Sequence, residues 1–553
     1  MLEQKKPNFL KGAAILAATG VFVKIVGAIY QIPILRVMGD EGAGYFHVTY
    51  MVYSFILAIS TAGVPVALSR LVSSAAARGN IPLVKRYYSV AMPAFLVIGF
   101  AAMLVMFLFA NEIADLMNTS LASYGIRVLA PAVFFVCIIS VFRGYAQGFG
   151  NMVPTAASQV VEVVCKAVFG IAVVFYLSGL NYAPHLVSAG AITGVTIGLG
   201  LCIPLMMWYK RKMDRSGQGD GSSARPDEDN KTEDLPKRTK ILLRVLKVSI
   251  PISLSASFMS IMGVIDTSVV SGRLQHALLM SESEAAALLG IFRKGLSIYN
   301  LPPSLIVPLA VSIIPAIAGA IAIEKRDEAR SITQSSFKLM NLFAMPACAG
   351  IIVLAGPILK ALFYDPGQLP ETVATMTTIL TILGAASYFV CFQHLTIAVL
   401  QANGYERVAL ITFPVGAAAK ITLSYFLVGN PNIGIIGSPI GTLTCFAVIV
   451  TLNVLFIIFK VKERFRLIDG FLKPLICALI MAAVAYFVYQ GVYLLGSGII
   501  GTGDMAVAVY LAFAILIGIL VYGALVIFTR TITKEDLLHV PKGEKLAKLL
   551  KVR

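Results

Sequence analysis

The stretch R-G-Y-A-Q-G-F-G-N-M-V-P-T-A-A-S-Q-V-V-E-V-V-C-K, residues 143–166, decides how this chain is read. An apolar run leads into it, a glycine-bearing turn interrupts it, and a second apolar run carries on beyond it. Each run is about 20 residues long, the length a helix needs to cross a bilayer. Yet Arg143, Glu162 and Lys166 lie inside these runs, where a lipid-facing helix would hold no ionisable group. The turn also recurs: Q-G-F-G-N (Gln147 to Asn151) matches Q-A-N-G-Y (Gln401 to Tyr405), and Lys166 falls on Lys420 at the same offset.

Working outward, the rest of the chain has the same character. Of its 553 residues 58% are hydrophobic and 13% charged, with a mean hydropathy of +0.85. Soluble proteins carry about 25% charged residues, so soluble globular and disordered classes are excluded. The pattern predicts an all-α polytopic membrane protein of about fourteen transmembrane helices. The first six spans are expected at 12–35, 44–69, 88–110, 123–147, 154–178 and 185–209. Eight follow at 246–271, 288–322, 335–358, 374–402, 407–429, 435–459, 470–494 and 505–529. The eighth carries Pro302, Pro303, Pro308 and Pro315 and should be broken or kinked.

A second internal match supports a duplication. K-I-V-G-A-I-Y (Lys24 to Tyr30) corresponds to S-I-M-G-V-I-D (Ser260 to Asp266), and Leu10-Lys11 to Leu246-Lys247 at the same offset. Six spans per repeat is an even number, so the repeats are parallel and related by an axis along the membrane normal. The expected organisation is two pseudo-symmetric six-helix lobes, 1–209 and 246–459, joined by a polar cytoplasmic linker, 210–245. Two appended spans at 460–529 and a basic cytoplasmic tail at 530–553 complete it.

The net charge of +17 follows from orientation. With both termini cytoplasmic, most of the 45 lysines and arginines fall on the inner side. The opposite loops hold Asp40, Glu41, Glu112, Asp115, Glu282, Glu284, Asp365, Glu371 and Asp504. Nucleic acid is therefore not the expected partner; anionic lipid accounts for the basic balance. The N-terminal apolar run is too long for a signal peptide and reads as an uncleaved first helix. The seven cysteines lie in apolar runs without C-x-x-C pairs, no H-E-x-x-H is present, and no phosphate-binding G-x-x-x-x-G-K-[ST] loop occurs. No metal, no cofactor and no enzymatic chemistry are expected, and transport must draw on the membrane potential or on a coupling cation, Na+ or H+.

Intramembrane polar residues then mark the site. Gly20, Lys24, Gly27 and Gln31 share one face of the first span, a small and polar face unsuited to lipid. Lys166 lies mid-span with Glu162 one turn earlier, a candidate ion pair, and with Gln159 on the same side. Lys420 is its counterpart, with Gly416 in place of the carboxylate. Asp266 lies in the seventh span, Arg293 and Lys294 open the eighth, and His394 and Gln401 lie in the tenth. Arg143 is expected at the inner mouth of a cavity or at the interface. Arg36, Arg127, Arg273 and Lys360 sit near outer span ends, where snorkelling serves them. A cavity lined by fixed cations favours an anionic cargo, and phosphate or pyrophosphate suits lysine and arginine.

Several runs carry a family resemblance. The turn Gly39-Asp40-Glu41-Gly42-Ala43-Gly44, the run S-T-A-G-V-P-V-A-L-S-R-L-V-S (Ser60 to Ser73) and R-G-Y-A-Q-G (Arg143 to Gly148) resemble polysaccharide-biosynthesis exporters of the MOP superfamily. P-T-A-A-S-Q-V-V-E (Pro154 to Glu162) and L-P-P-S-L-I-V-P-L-A-V-S-I-I-P (Leu301 to Pro315) are similar to the MurJ-type lipid II flippase and stage V sporulation protein B group of Gram-positive bacteria. The resemblance implies flipping of an undecaprenyl-pyrophosphate-linked peptidoglycan precursor across the plasma membrane by alternating access. It implies a cationic cavity lined by spans 1, 2, 7 and 8 and a groove for the polyprenyl tail at spans 13 and 14. Lys24 matches a cavity arginine of proteobacterial relatives, whose second arginine and adjacent aspartate correspond to Tyr30 and Gln31 here. Expected substrate contacts are thus Lys24, Tyr30, Gln31, Asp266, Arg293 and Lys294, with Asp266 a candidate coupling carboxylate. The expected partners are the lipid-linked glycan, membrane lipids and the cell-wall synthesis machinery, for a monomeric protein. Alternatives are another polyprenyl-linked polysaccharide unit, export of drugs or cations, and a non-transporting scaffold for wall assembly.

Overall fold

The computed structural model describes residues 6–61, 63–215, 236–363, 369–461, 468–497, 501, 503–529 and 531. Among these residues there is helix and no strand. The chain divides into two compact units, Met1–Gly290 and Ile291–Arg553.

The first unit contains α1 (Lys6–Val37), α2 (Gly39–Thr61), α3 (Val64–Ala77), α4 (Ile81–Leu108), α5 (Ala110–Leu116), α6 (Ser123–Gly148), α7 (Val153–Gly179), α8 (Pro184–Arg215) and α9 (Arg238–His276). The division between the units falls inside α10 (Glu282–Tyr299). The second unit continues with α11 (Leu301–Ala322), α12 (Arg326–Val353), α13 (Ala355–Phe363), α14 (Pro370–Ala402), α15 (Ala409–Val428), α16 (Gly437–Phe456), α17 (Lys473–Gly496) and α18 (Asp504–Phe528).

Local chemistry sets many of these boundaries. Asn80 caps α4 by accepting from the Leu83 amide at 3.0 Å, and Pro82 occupies its first turn, where no amide is needed. Ser281 and Glu284 form a reciprocal capping box at the start of α10. The Glu284 carboxylate accepts from the Ser281 amide at 2.8 Å, and Ser281 Oγ accepts from the Glu284 amide at 3.3 Å. Glu284 lies outside the expected spans, and these bonds hold its carboxyl below the ordinary value.

Duplication is visible in the packing order within each unit. In the first, α4 packs on α6, α6 on α8, and α8 on α7; in the second, α12 packs on α14, α14 on α16, and α16 on α15. The matching turns close identically. The Gly150 amide donates to the Gln147 carbonyl at 2.9 Å, and that of Asn151 to Ala146 at 3.1 Å. Gly404 donates to Gln401 at 3.1 Å, and Tyr405 to Leu400 at 2.8 Å. Gly150 (φ 74°) and Gly404 (φ 80°) supply the left-handed residue this helix ending requires.

Eleven stretches of the described residues are helices long and apolar enough to cross a membrane. The other three expected spans coincide with α2–α3, α9 and α10–α11. The second expected span, 44–69, is not continuous: α2 ends at Thr61 and α3 begins at Val64, with Pro65 in its first turn. Gly63 there donates to Ser253 Oγ at 3.0 Å. The eighth span does break, at Asn300, just ahead of Pro302 and Pro303, and its first helix, α10, extends back to Glu282, ahead of the expected span start at 288. Of the expected linker, 210–215 extends α8 and 238–245 opens α9. Residues 216–235 lie outside the described residues, as does the expected tail apart from Thr531.

Candidate functional site

The site is built on the helices of the first unit that carry the polar residues. On α1, Lys24 is exposed and Gln31 half-buried. Positions 20 and 27 on the same face have open space around them, with nothing within 4 Å of where a side chain would begin. Tyr30 is buried at 3% exposure, about 9 Å further along the axis than Lys24. Pro33 follows within the helix, and α1 packs on α7.

Lys166 on α7 reaches this point. Its Nζ lies 4.9 Å from the centroid of the Tyr30 ring and 4.9 Å from that of Tyr50 on α2, and donates to the Tyr50 hydroxyl at 3.3 Å. Two ring faces and a phenol oxygen thus hold one ammonium, each contact worth about 0.5–2 kcal/mol. Tyr50 was not among the residues singled out from the sequence; it carries no motif and lies 116 positions from Lys166.

The expected Glu162–Lys166 pair does not form. Glu162 instead pairs with Arg143 of α6 at 3.1 Å, and Arg143 Nε donates to Ser158 Oγ at 2.9 Å. Arg143 therefore links α6 to α7. Gln147 continues the seam, donating to Thr155 Oγ1 at 3.2 Å. The ordinary i, i+4 rule favoured Lys166, but helix packing brings Glu162 to the Arg143 guanidinium instead.

Behind Lys166, α8 comes close because it presents glycine: a side chain at Gly194 would begin 2.7 Å from the Lys166 carbonyl. In the second unit, one at Gly441 would begin 3.1 Å from the Lys420 carbonyl. The two lysines, matched by sequence, therefore occupy equivalent packing positions within their own units. Gln159, like Lys166 and Lys420, is half-buried.

The other expected contacts are less open. Asp266 on α9 is buried at 4% exposure. Arg293 and Lys294 sit in the body of α10 at 6% and 2%, and Lys294 Nζ lies 5.7 Å over the Phe363 ring of α13. On α14, His394 is half-buried, and Gln401 is exposed at the closing turn. Of the expected outer-end cations, Arg127 donates to Asn111 Oδ1 at 3.0 Å. Among the described residues no cluster of histidine, cysteine, aspartate and glutamate could hold a metal ion.

A further polar knot was unexpected. Asn118 (φ 52°), in the connection between α5 and α6, donates to the Ser268 carbonyl at 3.3 Å. Its own carbonyl accepts from Ser271 at 3.0 Å and from Gln275, tying this connection to the C-terminal end of α9.

Comparison with known proteins agrees with this architecture. The family model for polysaccharide biosynthesis proteins matches residues 9–321. The chain is 26% identical to the Bacillus subtilis (strain 168) membrane protein YabM over 98% of this chain and 97% of that one. It is 24% identical to stage V sporulation protein B of the same organism over 97% and 98%, and 25% identical to its lipid II flippase MurJ over 76% and 77%. Among solved structures, a lipid II flippase MurJ superposes with a TM-score of 0.66 at 18% identity, covering 93% of this chain and 99% of that one. A multidrug resistance MATE family transporter of the MOP superfamily superposes with a TM-score of 0.61 at 18% identity, covering 80% and 97%. With its two units of repeated helix packing and the family model spanning more than half of its length, the chain belongs to the polysaccharide biosynthesis protein family and has the fold of MOP-superfamily membrane transporters.

Proposed function

We propose that this protein is a plasma-membrane flippase for polyprenyl-pyrophosphate-linked glycans, and that its cargo is the peptidoglycan precursor lipid II. It acts as a transporter and not as an enzyme. The observation that carries the reading is the state of its intramembrane cations. Lys24 stands on an open face of α1, and among the described residues the partners of Lys166 are phenols and not a carboxylate. Positive charge held in a membrane without a neutralising carboxylate is costly, and an anionic cargo offsets that cost. Pyrophosphate supplies two phosphates for charge-assisted hydrogen bonds.

In this reading the head group enters from the cytoplasmic side, where both termini lie, and Lys24 and Gln31 engage it while the polyprenyl chain stays in lipid. Alternating access carries the head group outward, and α17 and α18 guide the tail. The drive is the membrane potential, about 2.3 kcal/mol for each charge moved through 100 mV, or an ion gradient with Asp266 as coupling carboxylate. Flipping of a different polyprenyl-linked unit is the second reading, favoured by the full-length similarity to stage V sporulation protein B. Drug or cation export is disfavoured by the cationic face of α1.

The test is rescue of a strain depleted of its lipid II flippase, with lipid-linked intermediates measured by mass spectrometry. Rescue with clearance of accumulated lipid II supports the first reading. Failure to rescue, with a different polyprenyl-linked glycan accumulating on loss of this protein, supports the second.

A further inference from the structure

We infer that the connection between α5 and α6 is a latch on the C-terminal end of α9, closed in this structure, that opens each time cargo is released. The latch is a set of hydrogen bonds converging on Asn118. Its side-chain amide donates to the Ser268 carbonyl at 3.3 Å, and His276 Nε2 lies 3.3 Å from its Oδ1. Its backbone carbonyl accepts from Ser271 Oγ at 3.0 Å and from Gln275. On either side of it, Ser268 Oγ donates to the Leu116 carbonyl at 2.7 Å, and the hydroxyls of Thr119 and Ser271 lie 3.3 Å apart. Glycine permits the approach, since a side chain at Gly272 would begin 3.0 Å from Asn118 Nδ2.

The two sides of this seam come from different sequence repeats. The match of Ser260–Asp266 to Lys24–Tyr30 makes α9 the first helix of the second copy, yet α9 packs on α2, α3 and α4 of the first. Alternating access in transporters built from repeats is a rocking of one repeat against the other, so these bonds lie across the moving boundary. Their chemistry suits a contact that is broken and remade. Hydrogen bonds near the membrane surface exchange for bonds to water with little net change in energy, whereas opening an apolar contact exposes surface at a cost proportional to its area. The first copy does not share the polar seam: the positions of α1 that match Ser268 and Ser271 are Ile32 and Leu35, and Leu35 is fully buried. Holding the first helix of a copy in place therefore does not require hydroxyls there. The bonds themselves stand on geometry alone. Their role rests on the flippase reading, and the placement of lysine and arginine assigns this end of α9 to the outer side.

Two measurements on the full chain in lipid vesicles test the latch. Ser271 is 0% exposed, so Ser271→Cys should react with a maleimide only while the latch is open. Peptide mapping by mass spectrometry separates residue 271 from the seven native cysteines. Adding Asn118→Gly, which suits the left-handed backbone (φ 52°) and removes both side-chain bonds, should raise that labelling rate about tenfold. The second measurement combines Thr119→Cys with Ser271→Cys, whose replaced hydroxyls are close enough for a disulfide after a small shift. Oxidation should stop flipping of lipid II and reduction should restore it, while each single variant flips at close to the parent rate. Equal labelling of residue 271 with and without Asn118→Gly overturns the latch. So does parent-rate flipping by the cross-linked protein, or failure of the cross-link to form. A parent protein that flips no lipid II counts against the flippase reading, and the labelling rates still decide the latch, because they are read without cargo.

Discussion

Arg143 and Glu162 face each other at 3.1 Å between α6 and α7, and one repeat later the chain carries Ile397 and Gly416 at the matching positions. Both charges are absent together from the second copy. A partly buried ion pair lost as a unit leaves no unpaired charge behind, whereas loss of one partner leaves a charge to be solvated by the membrane interior. The pair is thus a structural fastening of the first unit that the second replaces with close apolar packing of Gly416 against Ile449.

This predicts strong coupling between the two positions. Arg143→Ile and Glu162→Ala should each lower thermal stability, and the double variant should be more stable than the sum of the single losses implies. A coupling energy of about 0.5–3 kcal/mol is expected for residues in contact. Melting of the four proteins in one detergent measures it, and additive losses would contradict the pairing.

Lys24 should be indispensable through its charge. Lys24→Ala is expected to abolish rescue of a flippase-depleted strain at normal membrane levels of the protein, and Lys24→Arg to retain most of it. The exposed position on α1 means that neither change disturbs a packed core, so thermal stability should stay within about 0.5 kcal/mol of the parent. Growth with Lys24→Ala equal to the parent would remove the central cation from the mechanism.

Lys166 should behave differently because it is held by two rings. Tyr50→Phe removes the hydroxyl acceptor and keeps the ring, so it should cost about 1 kcal/mol. Lys166→Met keeps the length of the side chain and loses the charge; it should melt near the parent temperature and flip poorly. Lys166→Arg should restore flipping in part, since guanidinium also stacks on aromatic faces. Equal flipping by the methionine variant would make Lys166 a packing residue only.

The two turn glycines offer a paired measurement. Gly150→Ala and Gly404→Ala place a side chain on left-handed backbone (φ 74° and 80°), and each should cost about 1–2 kcal/mol. No neighbouring atom lies within 4 Å of either position, so the loss should come from backbone strain alone and be similar in both repeats. Melting curves that differ widely between the two would break the equivalence of the turns.

The capping box at Ser281 and Glu284 predicts a local pH dependence. Hydrogen bonds from the Ser281 amide and hydroxyl depress the Glu284 carboxyl below its ordinary value of 4.5. Its contribution is therefore complete above that value and lost as pH falls through the lower folded one. Amide exchange at residues 281–286, corrected for intrinsic rate, should accelerate between about pH 5 and pH 3. Glu284→Gln should show no such step.

Much of this was legible in the linear chain because it depends on local chemistry. Apolar run length and the Q-x-x-G-x turn with its copy are properties of neighbouring residues. A helix-ending bond from Asn151 to Ala146 needs nothing beyond the turn itself. The break in the eighth span was likewise announced by proline, because Pro302 and Pro303 lack amides wherever they are placed. The break between α2 and α3 was harder to read, since one proline at the start of a helix does not by itself interrupt a span; there Gly63 is bonded to Ser253, 190 positions away.

The partners of the buried charges belonged to tertiary structure. Helical spacing put Lys166 four residues from Glu162, yet Glu162 took Arg143, 19 positions earlier, and Lys166 took Tyr50, 116 positions earlier. Periodicity states which residues share a face, but not which face of another helix will meet it. By itself the sequence determined a membrane-spanning, duplicated helical transporter with cations in its interior. Only the packing of α1, α2, α6 and α7 decided which cation is neutralised by a carboxylate and which is held by phenol rings. The physical reason is that desolvated charges select partners by distance and direction, and both are set by how helices cross.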